Sequence, residues 1–183
     1  MITYDTSSSD KDISGIINLQ RKNLPTGLTK EEMESQGFVT VVHSMELLRK
    51  MNSIEQSIIA RDEDEVIAYL LAMTPQSKTD IPVLIPMFEM FDQLSYSGKR
   101  ISDYNYIVVG QVCIDKKYRG QGLLDNCYAE YRNRFKEKYD FAITEIATKN
   151  QRSMQAHKRI GFETIHEYKA PDKEEWSIVL WKW

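Results

Sequence analysis

The residues with the clearest chemical potential stand just before a predicted helix, at positions 119–122, where the sequence reads Arg-Gly-Gln-Gly. Glycines weaken the start of a helix unless the bare backbone has a use there. A helix N-terminus presents about four unpaired N–H groups and the positive end of the helix dipole, and a glycine-rich turn adds N–H groups that no Cβ shields. Arg119 and the nearby Lys116 and Lys117 add positive charge. The pattern predicts a binding site for a phosphate or pyrophosphate, and the alternative is a plain tight turn.

Two common phosphate-binding loops do not fit this turn. The chain has no G-x-x-x-x-G-K-[ST] sequence, and Asp125 stands where the third glycine of G-x-G-x-x-G would fall. The choice between a phosphate-binding turn and a plain tight turn therefore depends on the surrounding strands and helices.

Those elements form a β–loop–α–β unit. Residues 106–114 and 141–147 have the composition of strands, and residues 123–139 carry apolar side chains on one broad helical face. Such a unit makes its two strands parallel, with a right-handed crossover. Gly110, inside the first strand, indicates a bulge or a close backbone approach.

The rest of the sequence predicts short strands and helices around this unit. Strands are expected at 2–5, on both sides of the acidic turn 62–65, and at 162–168 and 176–183, and helices after residue 9 and at 45–51, 87–94 and 150–160. Pro25 and Gly27 should end the first helix, Thr29 with Glu32 should form a capping box, and Gly161 should end the helix at 150–160. The predicted fold class is α/β, an α+β mixed sheet with helices on both faces.

Residues 74–104 are less regular. They contain an apolar cluster that we predict to be core, with part of a substrate pocket as the alternative: Met87, Phe88, Met90, Phe91 and Leu94.

Composition limits the class of protein. The 183 residues predict one domain, 1–183, and the net charge of −3 with a pI near 5.7 argues against a nucleic-acid partner. Only Cys113 and Cys127 occur, without the His and Cys clustering of a metal site, so neither a disulfide framework nor a metal is expected. No stretch approaches the length of a membrane span, which predicts no membrane partner and a cytoplasmic location.

The β–loop–α–β unit and the residues after it resemble the GNAT superfamily of acyl-CoA-dependent N-acetyltransferases. The signature turn of that family is [QR]-x-x-G-x-[GA]; Arg119 and Gly122 match it, whereas Leu124 replaces its last small residue. The family's second hallmark is an Asn after the next strand, then a helix and Gly-Phe, which correspond to Asn150 and the pair 161–162.

The resemblance implies a GNAT-type sheet with splayed central parallel strands and a set of residues that hold acetyl-CoA, or coenzyme A. The edge of the first central strand would bind the pantetheine arm, the turn would bind the pyrophosphate through its backbone N–H groups, and the helix after the second strand would contact the cofactor. The residues are Val112, Cys113 and Ile114 in the strand, Arg119, Gly120, Gln121, Gly122, Leu123 and Leu124 in the turn, and Asn150 and Ser153 in the helix. For Asn150 and Ser153, helix capping is a compatible alternative.

Three residues are candidates for the chemistry of acetyl transfer. A backbone N–H near Cys113 is the expected oxyanion donor, and the Cys113 thiol is interpreted as a small buried hydrophobe. His157 stands where the family commonly has a tyrosine acid, so it is the candidate acid, with a surface or capping histidine as the alternative. Glu145, in an otherwise apolar strand, is either the base or a residue of a solvated face.

The resemblance therefore implies an N-acetyltransferase that passes an acetyl group directly from acetyl-CoA to a primary amine of a small molecule or a peptide. The alternative is a non-catalytic acyl-CoA-binding module that acts as a sensor or partner protein, and a structural domain without a cofactor site is a third reading. A homodimer is compatible with the resemblance. The acidic charge mildly favours a cationic acceptor.

Overall fold

A computed structural model describes residues 1–24, 41–170 and 173–183 of the chain. These residues form two compact units, the first from Met1–Met73 and Val109–Arg134 and the second from Thr74–Val108 and Phe135–Trp183. The chain passes between the units three times: after Met73, between Val108 and Val109, and between Arg134 and Phe135. The single domain 1–183 stays a prediction. The expected helix breakers Pro25 and Gly27 and the capping box of Thr29 and Glu32 lie outside the described residues.

The elements of the described residues alternate between short strands and helices. In chain order they are β1 (Ile2–Thr6), α1 (Asp10–Lys22), α2 (Met45–Ile54), β2 (Ile58–Asp62), β3 (Glu65–Met73), α3 (Ile85–Gln93), β4 (Ser95–Tyr96), β5 (Lys99–Arg100), β6 (Tyr106–Ile114), α4 (Leu123–Phe135), β7 (Phe141–Ala147), α5 (Gln151–Ile160), β8 (Glu163–Lys169) and β9 (Glu175–Trp181). None of the helices in these ranges is both long and apolar enough to cross a membrane.

The first unit is built on an antiparallel sheet. Its strand order is β1-β2-β3-β6, and β1–β2 and β2–β3 are antiparallel pairs. The β2–β3 hairpin confirms the predicted acidic turn, in which Glu63 has a positive φ of 52°. Helix α1 packs against β3 through a buried apolar face, and Ser9 and Asp12 close its N-terminus as a capping box.

The second unit contains the parallel pair that the β–loop–α–β pattern predicts. Its strand order is β6-β7-β9-β8, with β7–β9 and β8–β9 antiparallel. The parallel register of β6 and β7 covers only three pairs, from Tyr106–Phe141 to Val108–Ile143, although both strands continue further. The fold is thus the mixed α/β class that the sequence predicts, mostly antiparallel with one parallel pair.

The apolar cluster of α3 is core, as predicted. Phe88 and Phe91 are fully buried and meet edge to face, with ring centroids 5.9 Å apart. Phe91 also packs edge-on against Tyr106 of β6 at 6.0 Å. Met90 and Leu94 are half-buried. The pocket role that was considered for this cluster does not suit the two phenylalanines, because their rings are already enclosed by protein.

Candidate functional site

The turn before α4 has the backbone that its glycines predict. Gly120 and Gly122 have φ values of 77° and 79°, in the left-handed region that residues with a Cβ rarely adopt. No atom lies within 4 Å of the place where a Cβ would stand on either residue. The first helical hydrogen bond runs from the Asn126 N–H to the Gly122 carbonyl oxygen, at 3.1 Å.

The N–H groups of residues 120–124 are the donors of this turn. Within the part of the chain that the structure describes, none of the five has a hydrogen-bond acceptor. Gly120, Gln121 and Gly122 are exposed, as are Lys116 and Lys117. Five consecutive unpaired donors at an open helix N-terminus, beside two exposed cations, fit an anionic group of the size of a pyrophosphate.

Arg119 supports the turn from within. Its Nε–H donates to the Ile114 carbonyl oxygen at 3.0 Å, and its Nη2 donates to Oδ1 of Asn23 at 2.9 Å. The side chain therefore ties the end of β6 and the end of α1 to the turn. The sequence suggested that Arg119 adds charge for a ligand; the structure gives its guanidinium a positioning role.

The strand before the turn ends with the three residues expected to hold the pantetheine arm, Val112, Cys113 and Ile114. The Cys113 thiol is buried, and burial raises its pKa to about 12. A thiol in that state is a poor nucleophile, so any role of Cys113 rests on its backbone. Upstream, a Cβ on Gly110 would come 3.1 Å from Cε of Met73, so the neighbour of this glycine is a side chain of β3 rather than the predicted backbone.

Asn150 and Ser153 lie in the second unit, at the start of α5. Oδ1 of Asn150 accepts a hydrogen bond from the Ser153 N–H at 3.1 Å, so Asn150 is the N-cap of the helix. Gly161, with φ of 119°, ends the helix as the sequence predicts. The cap is the alternative predicted for Asn150, and it leaves the amide nitrogen of that residue available to the cofactor role. Oγ of Ser153 lies 3.3 Å from Nδ1 of His157.

His157 is a core residue of the second unit. It is 5 % exposed and packs edge-on against Phe162, with ring centroids 5.1 Å apart. The alternative of a surface histidine is therefore wrong.

The hydrogen bond of the His157 ring bears on its predicted role as the acid. Nδ1 lies 2.8 Å from the Ser153 carbonyl oxygen, and because a carbonyl can only accept, Nδ1 carries the proton. Burial lowers the pKa of His157 to about 4, so the ring is neutral at pH 7 and Nε2 is unprotonated. A leaving thiolate needs a donor, and this state offers an acceptor.

Glu145 has a partner that the sequence did not suggest. It is half-buried on β7, and the Tyr168 hydroxyl donates to its Oε2 at 2.5 Å. The ring of His166 stacks against Tyr168 at 6.5 Å. The hydrogen bond and the partial burial are compatible with both interpretations of Glu145, the base and the solvated face, and the base stays a prediction. Tyr168 is 23 residues from Glu145, and no local spacing signals the pair.

Comparison with known proteins identifies the protein family of this chain. The model of the acetyltransferase (GNAT) family matches residues 21–162. A search of curated protein sequences finds no significant match.

Solved structures with this fold include several acetyltransferases. The ribosomal-protein-S18-alanine N-acetyltransferase from Escherichia coli has a TM-score of 0.63 at 11 % identity, over 100 % of this chain and 94 % of that chain. NAA60 from Arabidopsis thaliana in complex with acetyl-CoA has a TM-score of 0.61 at 11 % identity, over 100 % of both chains. The yncA protein from Salmonella typhimurium with its cofactor acetyl-CoA has a TM-score of 0.62 at 10 % identity, over 100 % of this chain and 94 % of that chain. At these identities the likeness establishes the fold.

Proposed function

Since the chain belongs to the GNAT acetyltransferase family, we propose that it transfers the acetyl group of acetyl-CoA directly to a primary amine. The observation that carries the proposal is the turn at residues 120–124, with five open N–H donors at a helix N-terminus. A chain that kept the fold but had lost the cofactor would have no need of two exposed glycines in the left-handed region.

The first unit supplies the cofactor-binding residues of the proposal. The turn N–H groups bind the pyrophosphate, Arg119 holds the turn in shape, and the edge of β6 at Val112 and Ile114 pairs with the pantetheine arm as a sheet edge pairs with a peptide. The N–H groups of the turn and the neighbouring lysines suit an anion, and no side chain at Gly120 or Gly122 blocks its approach to the backbone. When bound, acetyl-CoA supplies an acetyl thioester that a neutral amine can attack.

Glu145 is the proposed base. An aliphatic amine with a pKa of about 10 is mostly protonated at neutral pH, so a proton must leave before attack. The carboxylate of Glu145 can accept that proton directly or through a water, and the Tyr168 hydroxyl holds it in one orientation. The backbone N–H near Cys113 is the proposed donor to the oxygen on which charge develops.

Asn150 and Ser153 are proposed to contact the cofactor from the N-terminus of α5. Their cap geometry keeps this helix start ordered. The acceptor is a primary amine of a small molecule or a peptide, and the net charge of −3 gives a mild attraction to a cationic acceptor.

A thiol-release assay over a panel of amines, run beside calorimetric titration with acetyl-CoA, tests the proposal. We expect micromolar to millimolar acetyl-CoA affinity and amine-dependent release of free CoA. The variant Glu145→Gln should bind acetyl-CoA as the wild type does and release thiol far more slowly. Binding without release for every amine would favour the non-catalytic acyl-CoA-binding module instead, and absence of binding would refute both functions.

A further inference from the structure

A buried hydrogen-bond network in the first unit joins Gln20, His43, Tyr69 and Gln111. Nε2 of Gln20 donates to Oε1 of Gln111 at 3.0 Å and lies 2.9 Å from Nδ1 of His43. The Tyr69 hydroxyl also donates to Oε1 of Gln111, at 2.5 Å. Tyr69 and Gln20 are fully buried, whereas Gln111 is half-buried, so the network extends from the core towards the surface at Gln111.

Two backbone contacts fix the orientation of both amides. The His43 N–H donates to Oε1 of Gln20 at 3.0 Å, and Nε2 of Gln111 donates to the Val41 carbonyl oxygen at 2.9 Å. A backbone N–H can only donate and a carbonyl can only accept, so neither amide can be reversed.

The orientation of Gln20 in turn fixes the tautomer of His43. Because the Gln20 amide nitrogen is a donor, Nδ1 of His43 must accept, and in the neutral ring the proton sits on Nε2. Burial lowers the pKa of His43 to about 4, which keeps the ring neutral at pH 7.

The resulting Nε2–H donor has no partner within residues 1–24, 41–170 and 173–183. The His43 side chain is enclosed, at 3 % exposure, and Nε2 meets no hydrogen-bond acceptor among the residues that the structure describes. Buried polar groups are nearly always paired, so this donor calls for an acceptor that the described residues do not supply. The neighbouring Val42 and Ser44 are exposed, so His43 is a buried residue in a segment that lies at the surface.

The network reaches β6 at Gln111, one residue before the proposed pantetheine edge. On the proposed function, the residues after β6 bind the pyrophosphate and those of the strand bind the arm. The acyl group then belongs with the earlier strand residues, where Gln111 lies, and an incoming amine must arrive there.

We propose that the Nε2–H of His43 binds an oxygen atom of the acceptor substrate and so selects amines that carry a carbonyl or hydroxyl oxygen near the amino group over plain alkyl amines and polyamines. The inference rests on the proposed function. An N–H donor can pair with such an oxygen, whereas alkyl ammonium groups offer only donors. A neutral ring also accepts a cationic amine nearby without the repulsion that an imidazolium would exert.

The test compares alaninamide with sec-butylamine, which lacks the carbonyl, in wild type and in His43→Phe. The quantity is the ratio of kcat/KM for the two amines, and comparing the ratio between proteins cancels the different basicity of the amines. We expect the wild-type preference for alaninamide to fall by about tenfold in His43→Phe, the scale of one hydrogen bond lost from a buried site. The KM for acetyl-CoA should not change. A ratio that stays the same would overturn the inference.

A second measurement needs no activity and no variant that folds. In wild type labelled with nitrogen-15 in its three histidines, His43 should show a protonated Nε2 and an unprotonated Nδ1. Alaninamide, added in the presence of CoA, should shift the Nε2–H resonance, and sec-butylamine should not. A proton on Nδ1, or the same response to both amines, would show an enclosed histidine with a bound water at most and would overturn the inference. Lack of thiol release with every amine would refute the proposed function alone, and the resonance would still decide the role of His43.

Discussion

Replacing Gly122 with alanine tests whether the turn binds acetyl-CoA through its backbone. Gly122 has φ of 79°, and a Cβ there would meet nothing within 4 Å, so the substitution introduces conformational strain without a clash. The left-handed conformation costs an L-residue about 1–2 kcal/mol relative to the right-handed one. If only the observed turn conformation binds acetyl-CoA, this free energy lowers the fraction of protein molecules that have it. The apparent Kd for acetyl-CoA should then rise about 5–30-fold.

Gly98 provides a matched control. It lies in the turn between β4 and β5, has φ of 80°, and also has nothing within 4 Å of a Cβ position. Gly98→Ala should therefore lower thermal stability by a similar amount while leaving the Kd for acetyl-CoA unchanged. Gly122→Asn should bind more tightly than Gly122→Ala, since asparagine tolerates this region better, and Gly122→Pro should abolish binding because it fixes φ near −65° and removes one N–H.

Isothermal titration with acetyl-CoA and thermal unfolding of the same four variants give both quantities. A folded Gly122→Pro protein with wild-type affinity would refute the phosphate-binding role of the turn. So would an equal loss of affinity in the variants Gly98→Ala and Gly122→Ala, because the effect would then report general destabilisation.

Three further predictions concern single side chains. Arg119→Ala and Asn23→Ala should each weaken acetyl-CoA binding about tenfold by calorimetry, because both break the bond that holds the turn; wild-type affinity in Asn23→Ala, which keeps the charge of Arg119, would instead assign Arg119 a direct charge contact. Glu145→Gln should lower kcat about a hundredfold and Tyr168→Phe about tenfold in steady-state assays, with an unchanged KM for acetyl-CoA; equal kcat in Tyr168→Phe and wild type would remove Tyr168 from the mechanism. His157→Phe should keep kcat within a few-fold, and a hundredfold loss would restore His157 as the acid. Because the pKa of His157 is depressed to about 4 in the fold, its contribution to stability is present above pH 6.5 and is lost as the pH falls towards 4. Between pH 7.5 and 5, the free energy of unfolding in urea should therefore fall by about 2 kcal/mol less in His157→Phe than in wild type.

Local patterns were enough for most of the elements that position the candidate site. Strand β7 matches its predicted bounds, and the acidic turn, the glycine turn and the end of α5 at Gly161 follow from backbone requirements that a few residues express. Helix α4 ends earlier than its apolar pattern suggests, at Phe135, where the N–H groups of Lys138 and Tyr139 turn back to the Phe135 carbonyl oxygen.

Features that depend on distant partners were missed. The small β4–β5 hairpin is too short to show alternation, and only its Ser-Gly pair signals a turn. The insertion of β9 between β7 and β8 depends on pairing across the sheet, which the sequence of one strand does not encode. Burial of His157 and the bond between Glu145 and Tyr168 likewise need tertiary contacts, so a position on a helix or strand could suggest these residues but could not define their protonation or their partners.

The hydrogen bond between Arg119 and Asn23 spans 96 residues of sequence, and it has a consequence for the order in which the protein is assembled. At the usual rate of synthesis, about 5–20 residues per second, Asn23 leaves the catalytic centre of the ribosome roughly 5–20 seconds before Arg119. The sheet of β1, β2 and β3 and the helix α1 can begin to associate during that interval, because their residues are close in sequence. The hydrogen bond between Arg119 and Asn23 can form only after the intervening residues, including 74–108, have been made. The nascent chain therefore gains no stability from its cofactor until α4 has emerged, and a translational pause before that helix would delay this stabilisation.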